Sequence, residues 1–231
     1  MRGQPLPDWL FPGQITETIR RKSAELLDEG CGTAQLIITS PPDLSETRLR
    51  RWDALFALYE SVFSRCVSSL RDSGVLAVVI SDRKLEGTII WKHDRVRSIL
   101  ERLDMRIFAY KIVVRTAKID LFRVGFSHLM CFRKKSAKQI VIASPVPREF
   151  RPDIWGPYAS IVGMRKDRNS FAPQLVRILV EVFSHHGDLV LDPFCGTGTT
   201  QRVAIGLGRT AAGYEVNAAL HSHWRKLSSP G

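Results

Sequence analysis

Two short stretches carry side chains suited to binding and group chemistry, and they lie far apart in the chain. One is Thr39-Ser40-Pro41-Pro42; the other is Asp192-Pro193-Phe194-Cys195-Gly196-Thr197-Gly198-Thr199-Thr200. The apolar run Asp188-Leu189-Val190-Leu191 reads as a buried strand that delivers the chain into the Gly-x-Gly turn, and Gln201 onward, with Val203, Ala204, Ile205 and Leu207, reads as the helix that leaves it. A strand, a glycine turn and a helix form a corner for a nucleotide-like cofactor. The glycines let the backbone close on a ligand, and the strand end lies at a sheet crevice. The spacing is not G-x-x-x-x-G-K-[ST], which argues against a phosphate-cradling loop of that kind. Upstream, Leu36-Ile37-Ile38 is a short buried strand that must stop at the two prolines, since proline cannot extend a ladder, and Pro41 holds Ser40 extended. Taken singly, Ser-Pro-Pro also fits an ordinary loop that ends a strand, and a lone glycine turn says little; the pair carries the weight.

The elements that must position these stretches follow from periodicity. Residues 14–29 have apolar positions at helical spacing and end at Gly30, after an irregular lead-in at 1–13. Apolar residues from Trp52 to Leu70 recur at helical spacing over 46–71, and Asp72-Ser73-Gly74 is expected to break that helix. Val75-Leu76-Ala77-Val78-Val79-Ile80 is apolar without interruption, as in a strand covered on both faces. A helix is expected over 94–104, strands over 108–114 and 127–132, and a helix over 171–185. A last short strand covers 211–215 and a final helix 218–227. Alternating helices and apolar strands argue for an α/β layered sheet. The segment 136–169, with Pro145, Pro147, Pro152 and Pro157, reads as a short insertion or long loop within a single domain spanning 1–231.

A chain of 231 residues, 44% hydrophobic and 25% charged, is ample for a sizeable core and ordinary for a soluble domain. It contains no apolar stretch near membrane-spanning length, and its first residues lack a secretory hydrophobic region. Cys31, Cys66, Cys131 and Cys195 are scattered without a C-x-x-C pair, which suits reduced residues in a cytoplasmic protein and gives no reason to expect zinc. Thirty-four Lys and Arg against 23 Asp and Glu give +11, which favours a polyanionic partner. Nine basic residues and one acid fall within 106–138; Arg115, Lys118, Arg123, Lys134 and Lys135 are the nucleic-acid contacts expected from this cluster, against the plainer reading of a solvated basic face.

Several motifs in one order make the chain resemble the DNA amino-methyltransferases. These are N4-cytosine and N6-adenine enzymes that use S-adenosyl-L-methionine, here in the permuted order with the catalytic motif first. Thr39-Ser40-Pro41-Pro42 resembles the S/D/N-P-P catalytic motif, and Asp192 to Thr200 resembles the D-P-F-x-G-x-G-T-T cofactor loop. Gly208-Arg209 with Gly213-Tyr214-Glu215 resembles the next cofactor motif, which ends in an acid. Residues 123–134, with Ser127-His128 and Phe132, are similar to a late strand motif, Asp153-Ile154-Trp155 to a D-x-W, and Phe171-Ala172-Pro173-Gln174-Leu175 to a helix start before the cofactor strand. The likeness runs from about residue 34 to the end.

The resemblance implies a Rossmann-like α/β methyltransferase fold, with a mostly parallel sheet and helices on both faces. It also implies S-adenosyl-L-methionine as cofactor and DNA as partner. The catalytic set is then Ser40, Pro41, Pro42 and Asp43, and the cofactor-binding set is Thr39, Phe171, Asp192, Pro193, Phe194, Cys195, Gly196, Thr197, Gly198, Thr199 and Glu215. An exocyclic amine is a poor nucleophile because its lone pair is delocalised into the ring. Acceptance of its two hydrogens by the Ser40 hydroxyl and the Pro41 carbonyl would free the lone pair for direct transfer, with positioning supplying most of the rate. Glu215, at a strand end beside the glycine corner, would accept hydrogen bonds from the cofactor ribose. Asp192 would orient the loop or the methionine amine. Phe171 would pack beside the methionine part, or serve as a core aromatic.

Three departures modify this picture. Asp43 stands where the family usually has an aromatic residue that stacks on the flipped-out base. Another ring (Trp52, Trp91 or Phe126) supplies the stacking, or the target is unpaired, or the site is weakened. The insertion at 136–169 is short, so an extensive base-reading surface needs other parts of the chain or a second subunit. The Gly-Asp strand end that often precedes the catalytic motif is missing. Serine before Pro-Pro is, in the family, more typical of N4-cytosine enzymes, and N4 of cytosine is the expected target. N6-adenine methylation, an RNA amino-methyltransferase and a cofactor- and DNA-binding protein without turnover are the alternatives, and pairing with a restriction nuclease stays open. His128 reads as a hydrogen-bonded core histidine, His185, His186, His221 and His223 as solvated residues, and no metal is expected.

Overall fold

The computed structural model describes residues 33–114, 124–156 and 172–215. The helices expected at 14–29 and 218–227, together with Phe171, Arg115, Lys118 and Arg123, lie outside the described residues. Strands β1 (Ala34–Thr39), β2 (Leu70–Ile80), β5 (Met105–Val114), β6 (Phe126–Lys134), β7 (Ile154–Trp155), β8 (Leu189–Asp192) and β9 (Thr210–Gly213) form one sheet of order β7-β5-β6-β2-β1-β8-β9. All neighbours pair parallel except β6, which runs antiparallel to both β2 and β5. Helices α1 (Trp52–Ser69), α2 (Lys92–Arg102), α3 (Pro173–Phe183) and α4 (Thr199–Gly206) cover the sheet. This is the expected mostly parallel α/β architecture with helices on both faces.

The sheet is covered on both sides because its strands alternate between two cores. In β2, Leu76, Val78 and Ile80 face the core formed with α1 and α2, while Val75, Ala77 and Val79 face the core formed with α3 and α4. In β6, Met130 and Phe132 join the first core and Leu129 and Cys131 the second. Both faces of a strand are therefore apolar, which explains the unbroken hydrophobic runs.

Several boundaries differ from expectation. Asp72-Ser73-Gly74 does not follow a helix end in a turn: α1 ends at Ser69, and the triplet lies within β2. Five steps from Leu70 to Val75 are matched by two from Ala34 to Leu36, so the triplet is accommodated as a bulge. The Gln35 side chain secures it, donating to the Ser73 carbonyl at 3.2 Å. At its other end α1 begins at Trp52 rather than near 46, because Asp43 caps a separate 3-10 turn at Leu44–Glu46. Between β2 and α2 the chain forms an unexpected hairpin, β3 (Arg83–Leu85) and β4 (Thr88–Ile90), closed by Glu86 and Gly87 at φ 49° and 76°. Two consecutive left-handed residues make a tight turn whose twist suits a hairpin. Within the 136–169 segment, Asp153-Ile154-Trp155 adds the edge strand β7. Its Asp153 carbonyl accepts from the Ile112 amide at 2.8 Å, and the Trp155 indole donates to the Phe150 and Pro152 carbonyls.

Candidate active site

β1 and β8 are parallel neighbours, with Ile37 opposite Leu191, so the loops after Thr39 and Asp192 leave the same edge of the sheet side by side. From β1 the chain crosses to β2 through α1 on one face, and from β8 to β9 through α4 on the other. Connections that diverge in this way open a crevice between the two strand ends.

The glycine loop is held from below and behind. The Asp192 carboxylate, 1% exposed, accepts from the Phe194 amide (3.1 Å) and the Thr200 hydroxyl (2.7 Å), bracing both ends of the loop. The Cys195 amide donates to the Tyr214 carbonyl and the Gly196 amide to Glu215 Oε2 at 2.9 Å, tying the loop to the end of β9. Gly198 sits at φ 80° as the N-cap of α4, a conformation glycine adopts without strain. From the first turn of α4, the Arg202 guanidinium donates to the Thr197 carbonyl (2.8 Å) and the Thr199 hydroxyl (3.2 Å). Pro193 and Cys195 are buried beneath the loop and Phe194 is half-buried; burial pushes the Cys195 thiol well up, so it is not a nucleophile.

Burial raises the Asp192 carboxyl to about 7; hydrogen bonds from Thr200 and Phe194 oppose the rise, while the Glu215 charge adds to it. In the fold this group keeps its proton up to about pH 7, whereas unfolded it loses it near 3.8. The folded state therefore binds more protons between those values, and this group's contribution to stability falls as pH rises through the window. Asp192→Asn should raise the melting temperature of the ligand-free protein more at pH 8 than at pH 5, a difference that scanning calorimetry at the two pH values measures.

The Ser-Pro-Pro loop is equally fixed. Ser40 is half-buried, and its hydroxyl makes no hydrogen bond among the described residues; Pro41 is buried. The Tyr59 hydroxyl of α1 donates to the Pro42 carbonyl at 2.5 Å. Asp43 caps the following turn by accepting from the Ser45 amide, and its Oδ2 accepts from Lys92 Nζ at 2.7 Å. Burial alone would raise the Asp43 carboxyl, but the hydrogen bond and charge of Lys92 outweigh it and bring it below its ordinary value. Tyr59, Lys92 and Arg202 carry no motif; each is recognised only from what its side chain reaches.

Beside this loop, beyond the end of β2, Asp82 gathers two histidines. His93 Nδ1 lies 2.7 Å from one carboxylate oxygen of Asp82, His128 Nε2 lies 3.2 Å from that same oxygen, and Tyr110 bonds to His128 Nδ1. Burial pushes the Asp82 carboxyl up, yet the bonds from His128 and His93 pull it down to about 2. His128 is thus the buried, hydrogen-bonded histidine expected from its strand pattern. Of the rings considered for base stacking, Trp91 and Phe126 are exposed here, while Trp52 packs against Phe56 and the core.

Lys134 and Lys135 are not brought to this edge. β6 is antiparallel, with His128 opposite Ile80 and Phe132 opposite Leu76, so its C-terminal end lies at the far edge of the sheet. There Lys134 pairs with Asp72 and Lys135 with Asp104, both at 3.3 Å. Were this protein to bind a polyanion such as DNA, changing both to glutamine should leave the salt dependence of that binding unaltered; a flatter slope in a salt titration would restore them as phosphate contacts.

The arrangement places a half-buried hydroxyl on a proline-stiffened loop next to a glycine loop backed by carboxylates. Two features fit the glycine loop to a ligand: the buried Thr197 hydroxyl has no hydrogen-bond partner among the described residues, and a Cβ at Gly196 (φ 51°) would meet open space. Buried polar atoms without partners are uncommon in the absence of a ligand or water.

The sequence model of the family described as DNA methylase matches residues 34–225. Type II methyltransferase M.MjaI of Methanocaldococcus jannaschii is 51% identical over 51 residues, a match that covers 22% of this chain and only 17% of that protein. The PvuII DNA methyltransferase, cytosine-N4-specific, superposes with a TM-score of 0.78 at 16% identity, over 90% of this chain and 84% of that one. M1.HpyAVI in complex with SAM gives 0.66 at 19% identity, over 92% and 95%. At such identities the two superpositions speak for a shared fold.

Proposed function

The chain belongs to the DNA methylase family, and from that premise we propose that it is an S-adenosyl-L-methionine-dependent DNA methyltransferase acting on the exocyclic amine of a flipped-out base, N4 of cytosine in particular. The observation that carries this reading is the adjacency of β1 and β8, which brings the Ser40 loop and the glycine loop to one crevice.

S-adenosyl-L-methionine, when bound, supplies an electrophilic methyl group on a sulfonium. Glycine-loop residues Asp192 to Thr199, with Thr39 behind them and Glu215 at the end of β9, would hold it. Glu215 keeps the loop closed through the Gly196 amide and offers its carboxylate to the ribose hydroxyls. Asp192 acts as the brace of the loop, since it is buried and both its oxygens are engaged within the protein. Ser40 and the Pro41 carbonyl would accept hydrogen bonds from the two N–H groups of the amine and free its lone pair. As the N–CH3 bond forms the S–CH3 bond breaks, the sulfonium leaves as a neutral thioether, and one amine proton is released to solvent. Tyr59 fixes the next carbonyl, that of Pro42, so the acceptors are oriented before substrate arrives. No covalent enzyme intermediate is needed. The preference for cytosine rests on serine before Pro-Pro, a family correlation.

Transfer of tritium from labelled cofactor to duplex DNA, single-stranded DNA and RNA, followed by nucleoside analysis, tests the proposal. N4-methylcytosine is expected in DNA. N6-methyladenine alone would overturn the choice of base, and label only in RNA would overturn the choice of polymer.

A further inference from the structure

Three consecutive residues at the start of α2 organise a part of the site that methyl transfer itself does not use. Trp91, the residue before the helix, is 57% exposed, the most open aromatic ring among the described residues. Lys92 is 5% exposed and reaches back to Asp43 on the Ser-Pro-Pro loop. His93 donates from its amide and its ring to Asp82 at the end of β2. The His93 ring stacks on His128 at 3.7 Å and 11°, and Trp91 rests edge-on against His93 at 5.9 Å and 74°.

An exposed tryptophan by itself is ordinary. This one is unusual because both following residues are locked by charged partners. Lys92 is buried with the Asp43 carboxylate against it, an arrangement that costs desolvation and is better explained by the geometry it enforces than by stability. Asp82 is ionised and can only accept, so both imidazole nitrogens facing it must carry protons. His128 in its neutral form then accepts from Tyr110. The two rings are nearly parallel, so their in-plane lone pairs do not converge on one point, and the hydrogen bonds to Asp82 suffice to hold the cluster together.

We propose that Trp91 is the platform on which the target base stacks beside Ser40, with Asp43–Lys92 and Asp82–His93 as the positioning pairs that hold the ring in place. The proposal rests on the DNA methyltransferase reading. It gives Asp43 a role: the residue after Pro42 anchors the platform rather than forming it. A base stacked on an aromatic ring gains about 1–3 kcal/mol, enough to offset much of the cost of leaving the duplex stack.

The test uses the full chain and compares wild type with Trp91→Phe, Trp91→Ala, Phe126→Ala and Asp43→Asn. Single-stranded oligo(dC) and oligo(dA) are titrated against intrinsic fluorescence and against a labelled oligonucleotide in anisotropy, cofactor affinity is measured by calorimetry, and kcat and KM are taken on plasmid DNA. Trp91→Phe should lose most of the oligonucleotide-dependent quenching yet keep its anisotropy affinity. Trp91→Ala should weaken oligonucleotide binding by about 5- to 100-fold and raise KM for DNA, with cofactor affinity unchanged. Asp43→Asn should reduce the quenching and raise KM for DNA while cofactor still binds. Wild-type binding and KM in Trp91→Ala, or the loss appearing in Phe126→Ala instead, would overturn the proposal. So would a transition ion retained by wild type and released by His93→Gln. If the wild type binds cofactor and quenches with oligonucleotide but methylates no nucleic acid, the transferase reading fails while the platform stands.

Discussion

Replacing Ser40 by alanine is expected to lower kcat by about two to three orders of magnitude, the usual effect of removing one preorganised hydrogen-bonding group from a transition state. Cofactor affinity should be nearly unchanged. The argument is local. Ser40 lies on a loop whose conformation does not depend on its hydroxyl: Pro41 and Pro42 stiffen it, Tyr59 holds the Pro42 carbonyl, and Asp43 is capped and paired beyond it. The hydroxyl itself makes no hydrogen bond among the described residues, so its removal leaves no stranded partner there. Single-turnover methyl transfer under saturating cofactor measures the effect. A large rise in the cofactor dissociation constant with normal single-turnover rate would mean that Ser40 belongs to the cofactor side of the crevice.

Glu215→Ala should show the opposite pattern. Loss of a hydrogen bond to a charged group costs about 1.5–3 kcal/mol, so the cofactor dissociation constant should rise by about 10- to 100-fold. Two effects combine, since the same side chain is proposed to bind the ribose and is seen to hold the Gly196 amide. Glu215→Gln retains an acceptor for that amide and should recover part of the affinity. Isothermal titration with S-adenosyl-L-methionine and with its demethylated product separates the roles. A ribose contact weakens both ligands equally, whereas a defect confined to the methylated ligand would place Glu215 near the sulfonium instead.

The two halves of the site were unequally legible in the chain. The conformation of the glycine loop could be read from the chain, because backbone geometry at Gly196 and Gly198 (φ 51° and 80°) is written in residue type. The same holds for the stop after Thr39, which the prolines impose. Its supports were not legible. Arg202 clamps the loop from α4, yet in sequence it is one charge on an amphipathic helix. Tyr59 and Lys92 stand out in no motif, because nothing local marks a side chain that bonds to residues far away in sequence.

The basic cluster shows the limit from the other direction. Charge density between 106 and 138 is real, but β5 and β6 are antiparallel partners, and a stretch that is continuous in sequence is distributed along the whole length of two strands. Lys134 and Lys135 therefore come to lie at the far edge, near Asp72 and Asp104. Proximity in the chain does not survive a strand reversal.

What the chain determined by itself was the kind of site: strand ends, a glycine corner, a serine fixed before two prolines and an acid at the next strand end are all consequences of local backbone preference and hydrophobic pattern. What only the tertiary structure decided was how those pieces are held and what stands beside them. Parallel pairing of β1 with β8 brought the two loops to one crevice. The return of α2 over the sheet edge set Lys92 against Asp43 and left Trp91 open next to them. Such contacts depend on strand order and helix placement, which the packing of two hydrophobic faces selects globally, and for that reason Asp43 gained a partner that no reading of its own neighbourhood would have supplied.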